Sequence, residues 1–410
     1  MSAAAKISSP PDRSVYMDAN ATTPLLPEVF EAMRPWLGEQ CGNASSQHAQ
    51  GRAARTAIEL ARQQVAGLIG SSHTEVIFTS GGTEADNLAI FGAINVGSGT
   101  EPGAHVITSS IEHHAVLHAV ARLKQRGSTA TYVPADLGGQ VNPEDVRRAV
   151  EPNTRLISIM MANNETGVVQ PVEEIARIAR ERGIPFHVDA VQAAGKTAID
   201  VERIGCELLS ISGHKMHGPQ GTGALFVRRG VELEPLMYGG GHERGYRAGT
   251  ENVAGIVGLG KAAEIARRGF RDGSLKKMER LRDELERSLL REAENAGVNG
   301  IRMARVPNTT NLWFDGVVGS RLLRMLDERG LAVSGGSACN AGQCVPSHVL
   351  LAMGLSLGRA ASSVRFSLSK LTTAEDVGYA IWQVAEVLEE LRKTSGIPKQ
   401  ERKSPIPQVV

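Results

Sequence analysis

The sequence predicts an α/β protein, with a large domain on a mainly parallel seven-stranded sheet and a smaller α+β domain after it. Three observations predict it. From about residue 54 to about residue 260, short β-branched and aromatic runs alternate with helix-length stretches, the pattern of a parallel sheet covered on both faces. Beyond that point the alternation gives way to a long, charge-laced helix and a few strand-like runs. Glycine is abundant, at 45 residues, and aromatic residues are scarce, at 4%, which suits many tight turns.

The elements follow in order. "ARTAIELARQQVAGLIG" has helical apolar spacing, and "EVIFTS" after it reads as a strand. A helix opens at Thr83 and runs through "EADNLAIFGAINV"; "HVITS" is the next strand, and a helix follows from His113 to Leu123. "TATYVPA", "RLISIMM", "PFHVDA", "ELLSIS" and "GALFVRR" complete the seven strands, with helices beginning near Pro143, Pro171 and Val201 among them. In the remainder, "SLKKMERLRDELERSLLREAENAG" is an amphipathic helix. "NTTNLWFDG" reads as a strand, "SRLLRMLDERG" as a helix, "SSVRFSLS" as a strand and "TAEDVGYAIWQVAEVLEELRK" as a final helix. "VPSHVLLAMG" reads as a short helix capped by Ser347. The expected division is a flexible N-terminus over 1–14, a large domain over 15–265 whose first residues join the small one, a small domain over 266–393, and a Pro-rich, polar, flexible tail over 394–410.

The charge balance, 45 basic against 44 acidic residues, points to neither nucleic acid nor an anionic membrane as partner. No apolar run reaches the length of a membrane span, and "MSAAAKISSPPDRS" lacks the apolar core of a signal peptide. Four unevenly spaced cysteines do not make a disulfide framework in so long a chain. A reducing cytoplasm is the expected location.

Ligands of an open parallel sheet gather at the carboxyl ends of its strands, and three residue groups fall there. "TSGGTEADN" is either a phosphate cradle at a helix N-terminus or an ordinary strand–glycine–helix turn. Asp189 in "PFHVDAVQAAGK" is either a helix cap or the partner of a cationic ring nitrogen. Lys215 in "SISGHKMHGPQGTGAL" is either a surface residue or a Schiff-base amine. Taken together, a phosphate cradle, a carboxylate and a lysine in that order suggest pyridoxal phosphate.

The ordered motifs "YMDANATTP", "TSGGTEADN", "IEHHAV", "NNETGVV", "HVDAVQAAGK", "SGHKMHGPQGTGAL", "GGGHERGYRAGTEN", "SGGSAC" and "SSVRFSLS" make the chain resemble the pyridoxal-phosphate-dependent cysteine desulfurases of the NifS/IscS type, within the class V aminotransferase group. The likeness covers roughly residues 15–393 and implies the fold type I architecture of those transferases. It implies that Lys215 holds the cofactor and moves the substrate Cα proton, that Asp189 pairs with the ring nitrogen, and that His113, rather than its neighbour His114, stacks on the ring. Gln192 and Asn164 are placed near the ring hydroxyl, and Gly82, Thr83, Ser212 and His214 at the phosphate. Thr250 is implied to reach the phosphate of a neighbouring subunit, hence a homodimer with shared active sites. Arg365, helped by Asn164, grips the carboxylate of L-cysteine. Arg244 and Arg247 are expected to order their loop.

Cys339 in "SGGSAC" matches the family's nucleophile, a thiolate that takes the substrate sulfur as a persulfide on a glycine-rich, swinging loop. Cys344 has no fixed family role and reads as an inert small residue; a second sulfur acceptor or a transient disulfide partner are the alternatives. Cys206 is expected beside a strand, and no metal site is expected. The implied acceptors are an iron–sulfur scaffold or other sulfur-accepting proteins. The rival readings are a selenocysteine lyase, an aminotransferase or another carbon–sulfur lyase of the same fold, and a catalytically silent sulfur-transfer scaffold.

Overall fold

The chain enters through a short strand, β1 (Val15–Tyr16), and two helices, α1 (Pro27–Leu37) and α2 (Ala49–Ile69). The alternating block follows: β2 (Val76–Thr79), α3 (Gly82–Asn95), β3 (His105–Ser109), α4 (His114–Gln125), β4 (Thr129–Val133), α5 (Pro143–Ala149), β5 (Thr154–Met160), α6 (Val172–Glu181), β6 (Phe186–Asp189), α7 (Val201–Ile204), β7 (Leu208–Ser212) and β8 (Gly223–Val227). Then come α8 (Val253–Gly269), α9 (Ser274–Glu292), β9 (Ala296–Val298), β10 (Thr309–Phe314), α10 (Gly319–Glu328), β11 (Leu331–Ala332), α11 (His348–Ala352), α12 (Leu357–Ala361), β12 (Ser363–Ser367) and α13 (Ala374–Ser395). This computed structural model describes residues 13–95, 103–293, 295–335 and 346–395. The expected flexible end before residue 13, the tail from residue 396, and the segment bearing Cys339 and Cys344 lie outside the described residues.

The seven expected strands form one sheet in the order β2-β8-β7-β6-β5-β3-β4. It is parallel except for β8, which runs antiparallel to both β2 and β7. Alternation along each strand divides the core in two. Val76 and Phe78 pack with α2 and α8 residues such as Ile58, Val65 and Leu259, whereas Ile77 between them packs with Leu88 of α3 and Val116 of α4. A third core joins α9, α10 and α13 to the antiparallel sheet β12-β10-β9, and it takes in Val15 and Met17 from the start of the chain. β1 pairs in parallel with β11. Cys206 is buried just ahead of β7.

Some elements lie outside the expected set. α1 carries Pro35 within it and buries only Val29 and Met33, too few apolar positions to declare a helical face. α8 is a helix despite its glycines because it packs tightly on α2. A Cβ on Gly260 would lie 2.5 Å from the Cα of Ala61, so the glycine is there for close approach. The helix expected from His113 begins one residue later. His113 is its cap, with extended backbone and an Nδ1 that accepts from the Ala115 N–H at 3.1 Å.

Arg62 of α2 fastens the large sheet to the segment before α8. Its guanidinium donates to both carboxylate oxygens of Glu243, at 2.7 and 2.9 Å, and to the carbonyl of Val76. Glu243 sits at φ 44°, a left-handed conformation uncommon away from glycine, and it accepts from the Phe78 N–H. Both side chains are buried. Replacing Arg62 with alanine leaves the carboxylate buried without its partner, and urea unfolding is expected to register a loss of about 3–5 kcal/mol.

Candidate active site

The carboxyl ends of β2, β3, β5, β6 and β7 lie on one edge of the sheet, and a cavity of about 240 Å³ opens there. Nine of the residues expected at the cofactor line it: Gly82, Thr83, His113, Asn164, Asp189, Gln192, Ser212, His214 and Lys215. Each ends or follows a strand or sits at the start of a helix. Asp189 closes β6 and Ser212 closes β7, with Lys215 on the tight turn after it. Gly82 begins α3, whose unpaired N–H groups and dipole favour an anion. A Cβ on Gly82 would come within 2.6 Å of Val191 Cγ2, so glycine lets this cradle close against the turn after β6.

Burial sets the electrostatics. Burial first, and Arg365 next, lower the Lys215 amine to about 8. Its Nζ donates to the carbonyls of Asn20 and Ala21, each at 2.7 Å. Burial raises the Asp189 carboxyl to about 6, although the Val191 N–H donated to it and the charge of Lys215 act the other way. Burial and then Lys215 lower His113 to about 4. With its Nδ1 accepting from Ala115, the imidazole is neutral and carries its hydrogen on Nε2.

Arg365, on β12, lies beside the cavity. Its Nη1 donates to the Asn164 carbonyl at 2.9 Å and its Nη2 to Asp18 Oδ1 at 2.6 Å, while Nε has no partner among the described residues. Thr250 is exposed and does not line this cavity. Cys339 lies outside the described residues. Ser347 caps α11 as expected, accepting from the Leu350 N–H and donating to buried Glu165. Among the described residues no group of His, Cys, Asp and Glu is placed to hold a metal ion, and no helix is long and apolar enough to cross a membrane.

Four residues at or beside the site were given no role by the sequence reading. Asp18 meets Arg365, Asp86 adds a second buried carboxyl to the cavity, and Asn20 and Lys196 join the polar network behind it. The first and third lie in "YMDANATTP", one of the motifs that carry the resemblance, which assigned neither a role.

The cavity suits pyridoxal phosphate. Ser212 Oγ and Asn164 Oδ1, both buried in its wall, have no hydrogen-bond partner among the described residues. Asp189, a buried carboxyl at the same cavity, accepts from the Val191 N–H, and a cationic ring N–H would fit beside it.

Comparison with known proteins agrees. The family model described as Aminotransferase class-V matches residues 15–379. The chain is 46% identical to the cysteine desulfurase IscS of Dictyoglomus turgidum over 93% of this chain and 96% of that one. Among solved structures it resembles a NifS-like protein, with a TM-score of 0.86 and 38% identity over 92% of this chain and all of the other. It also resembles SspA in complex with cysteine, with a TM-score of 0.77 and 38% identity over 88% of this chain and all of the other. The chain therefore belongs to the class-V aminotransferase family of pyridoxal-phosphate enzymes, among its cysteine desulfurases.

Proposed function

We propose that the protein binds pyridoxal phosphate and converts L-cysteine and an acceptor thiol to L-alanine and a persulfide, formed first on Cys339. The observation that carries this reading is the meeting of Lys215, Asp189, the α3 N-terminus and, through Asn164, Arg365 around one cavity. When bound, the cofactor supplies an electron sink that stabilises negative charge next to the substrate Cα.

The chain's own residues do the rest. Asp189 pairs with the ring nitrogen, and Gly82, Thr83, Ser212 and His214 hold the phosphate. Thr250 completes that phosphate site in the neighbouring subunit of a homodimer. Gln192 and Asn164 face the ring oxygen, and the neutral His113 ring covers the cofactor. Arg365 binds the substrate carboxylate. Lys215 holds the cofactor before substrate arrives, then takes the Cα proton as a neutral amine; its lowered pKa puts that form within reach near pH 8. The Cys339 thiolate attacks the substrate sulfur. The carbon–sulfur bond breaks with its electron pair staying on carbon, a proton completes alanine, and the sulfur stays on Cys339.

The persulfide is passed on in the cytoplasm to an iron–sulfur scaffold or another sulfur-accepting protein. Residues 15–265 form the cofactor-binding domain, joined by the smaller domain over 266–393. The test is product balance. With L-cysteine and a reductant, the loaded enzyme is expected to release alanine and sulfide in equal amounts, and mass spectrometry without reductant is expected to find one extra sulfur on the Cys339 peptide. Activity confined to L-selenocysteine, or pyruvate in place of alanine, would sink the reading.

A further inference from the structure

Lys196 is a buried lysine whose hydrogen-bond partners are two side-chain carbonyls. Its Nζ donates to Gln192 Oε1 at 2.6 Å and to Asn20 Oδ1 at 3.0 Å. Burial, with Lys215 and Arg365 nearby, holds its amine well below the usual lysine range. It does not line the cavity of about 240 Å³, but lines another of about 50 Å³ that shares Lys215 with it. A lysine so placed is costly, and its contacts show what it does. Gln192 lines the large cavity and donates Nε2–H to the backbone carbonyl of Asn20 at 2.9 Å. A carbonyl only accepts, and this one also accepts from Lys215, so the Gln192 group against it is the nitrogen. The Gln192 oxygen is then turned to Lys196, which gives it an N–H. A flipped amide would set oxygen against oxygen at Asn20.

We propose that Lys196 is a positioning residue that locks the Gln192 amide, so that Gln192 offers the cofactor's ring oxygen its second N–H and never its carbonyl. The inference rests on the cofactor reading above. Without Lys196, Gln192 Oε1 becomes a buried acceptor with no donor, and the Asn20 carbonyl alone is left to hold the amide.

The test titrates the visible absorbance of the loaded enzyme against pH. With Lys215 joined to the cofactor, its nitrogen and the ring oxygen would share a proton. An N–H donated to that oxygen weakens its hold on the proton, so losing the N–H moves the midpoint upward, by about one pH unit. Lys196→Met and Gln192→Leu are expected to shift alike, and the double variant no further. Lys196→Gln, which can still donate to Gln192, is expected to keep the wild-type midpoint. Lys196→Ala serves where the methionine variant does not fold. A lowered melting temperature with an unchanged midpoint, while Gln192→Leu shifts, would mark a purely structural lysine and overturn the proposal. So would shifts that add in the double variant. A wild-type protein with no visible band after loading would instead fail the cofactor reading itself.

Discussion

Replacing Lys215 with alanine is expected to lower alanine release from L-cysteine by about 10⁴-fold or more and to remove the visible band of the loaded enzyme. The residue stands where β7 turns over the cavity, and its amine is held by two backbone carbonyls rather than by a carboxylate. Carbonyls accept from either form of the amine, so they orient it without fixing its charge. Burial and the positive charge of Arg365 then bring the pKa to about 8. A neutral amine is what attaches a carbonyl compound and what removes a Cα proton. Activity in the wild type is expected to rise with pH through this region, as the amine sheds its proton. Lys215→Arg keeps a charge and bulk but cannot deprotonate near neutrality, and it is expected to be as inactive as the alanine variant. Absorbance and single-turnover alanine release check both. A Lys215→Ala enzyme within ten-fold of wild type would remove this amine from the chemistry.

Replacing Arg365 with alanine is expected to lower kcat/KM for L-cysteine by about 10²–10³-fold, chiefly through KM, because a carboxylate entering the site loses a buried charged fork. Arg365 is 4% exposed and is already engaged by Asp18. A substrate carboxylate would therefore compete with Asp18 for the same guanidinium. Asp18→Asn weakens the competitor while keeping its shape, and is expected to lower KM several-fold. Steady-state kinetics on the two single variants and the double variant separate the effects. If Asp18→Asn leaves KM unchanged in the wild-type background, Asp18 is not the group displaced.

The sequence was most legible where chemistry sits next to its own strand. Asp189 and Lys215 each follow an apolar run by one to three residues, so strand, turn and functional group are read together. The seven strands were legible for the same reason, since each is short, apolar and bounded by polar turns. The pairing of Asp18 with Arg365 was not, because it depends on the bridge between Asp18 and Ser367 at opposite ends of the chain. Lys196 ends the motif "HVDAVQAAGK" with nothing local to mark it; only the fold shows it pointing inward at Asn20. α8 was hidden by glycines that weaken any helical reading, and whose purpose becomes visible only with α2 beside them. Asp86 lay within an expected helix, and only its proximity to Asp189 in the folded core distinguishes it from an ordinary polar helix residue.

The order of the large sheet bears on how the protein is made. β2 leads into the α3 cradle, yet among the described residues its only partner in the sheet is β8, with Val76 opposite Phe226. During synthesis β2 emerges well before the strand that will fix it. Asn20, which steadies Lys215, is in turn held by Thr309 and by Ser367. A ribosome-bound chain thus exposes an unpaired apolar strand for much of its elongation, and Lys215 is not held in place until the final helix is being made. Such late, long-range closure slows folding and leaves a nascent chain open to misassociation. The interval between β2 and β8 is accordingly the one in which protection of the nascent chain would matter most.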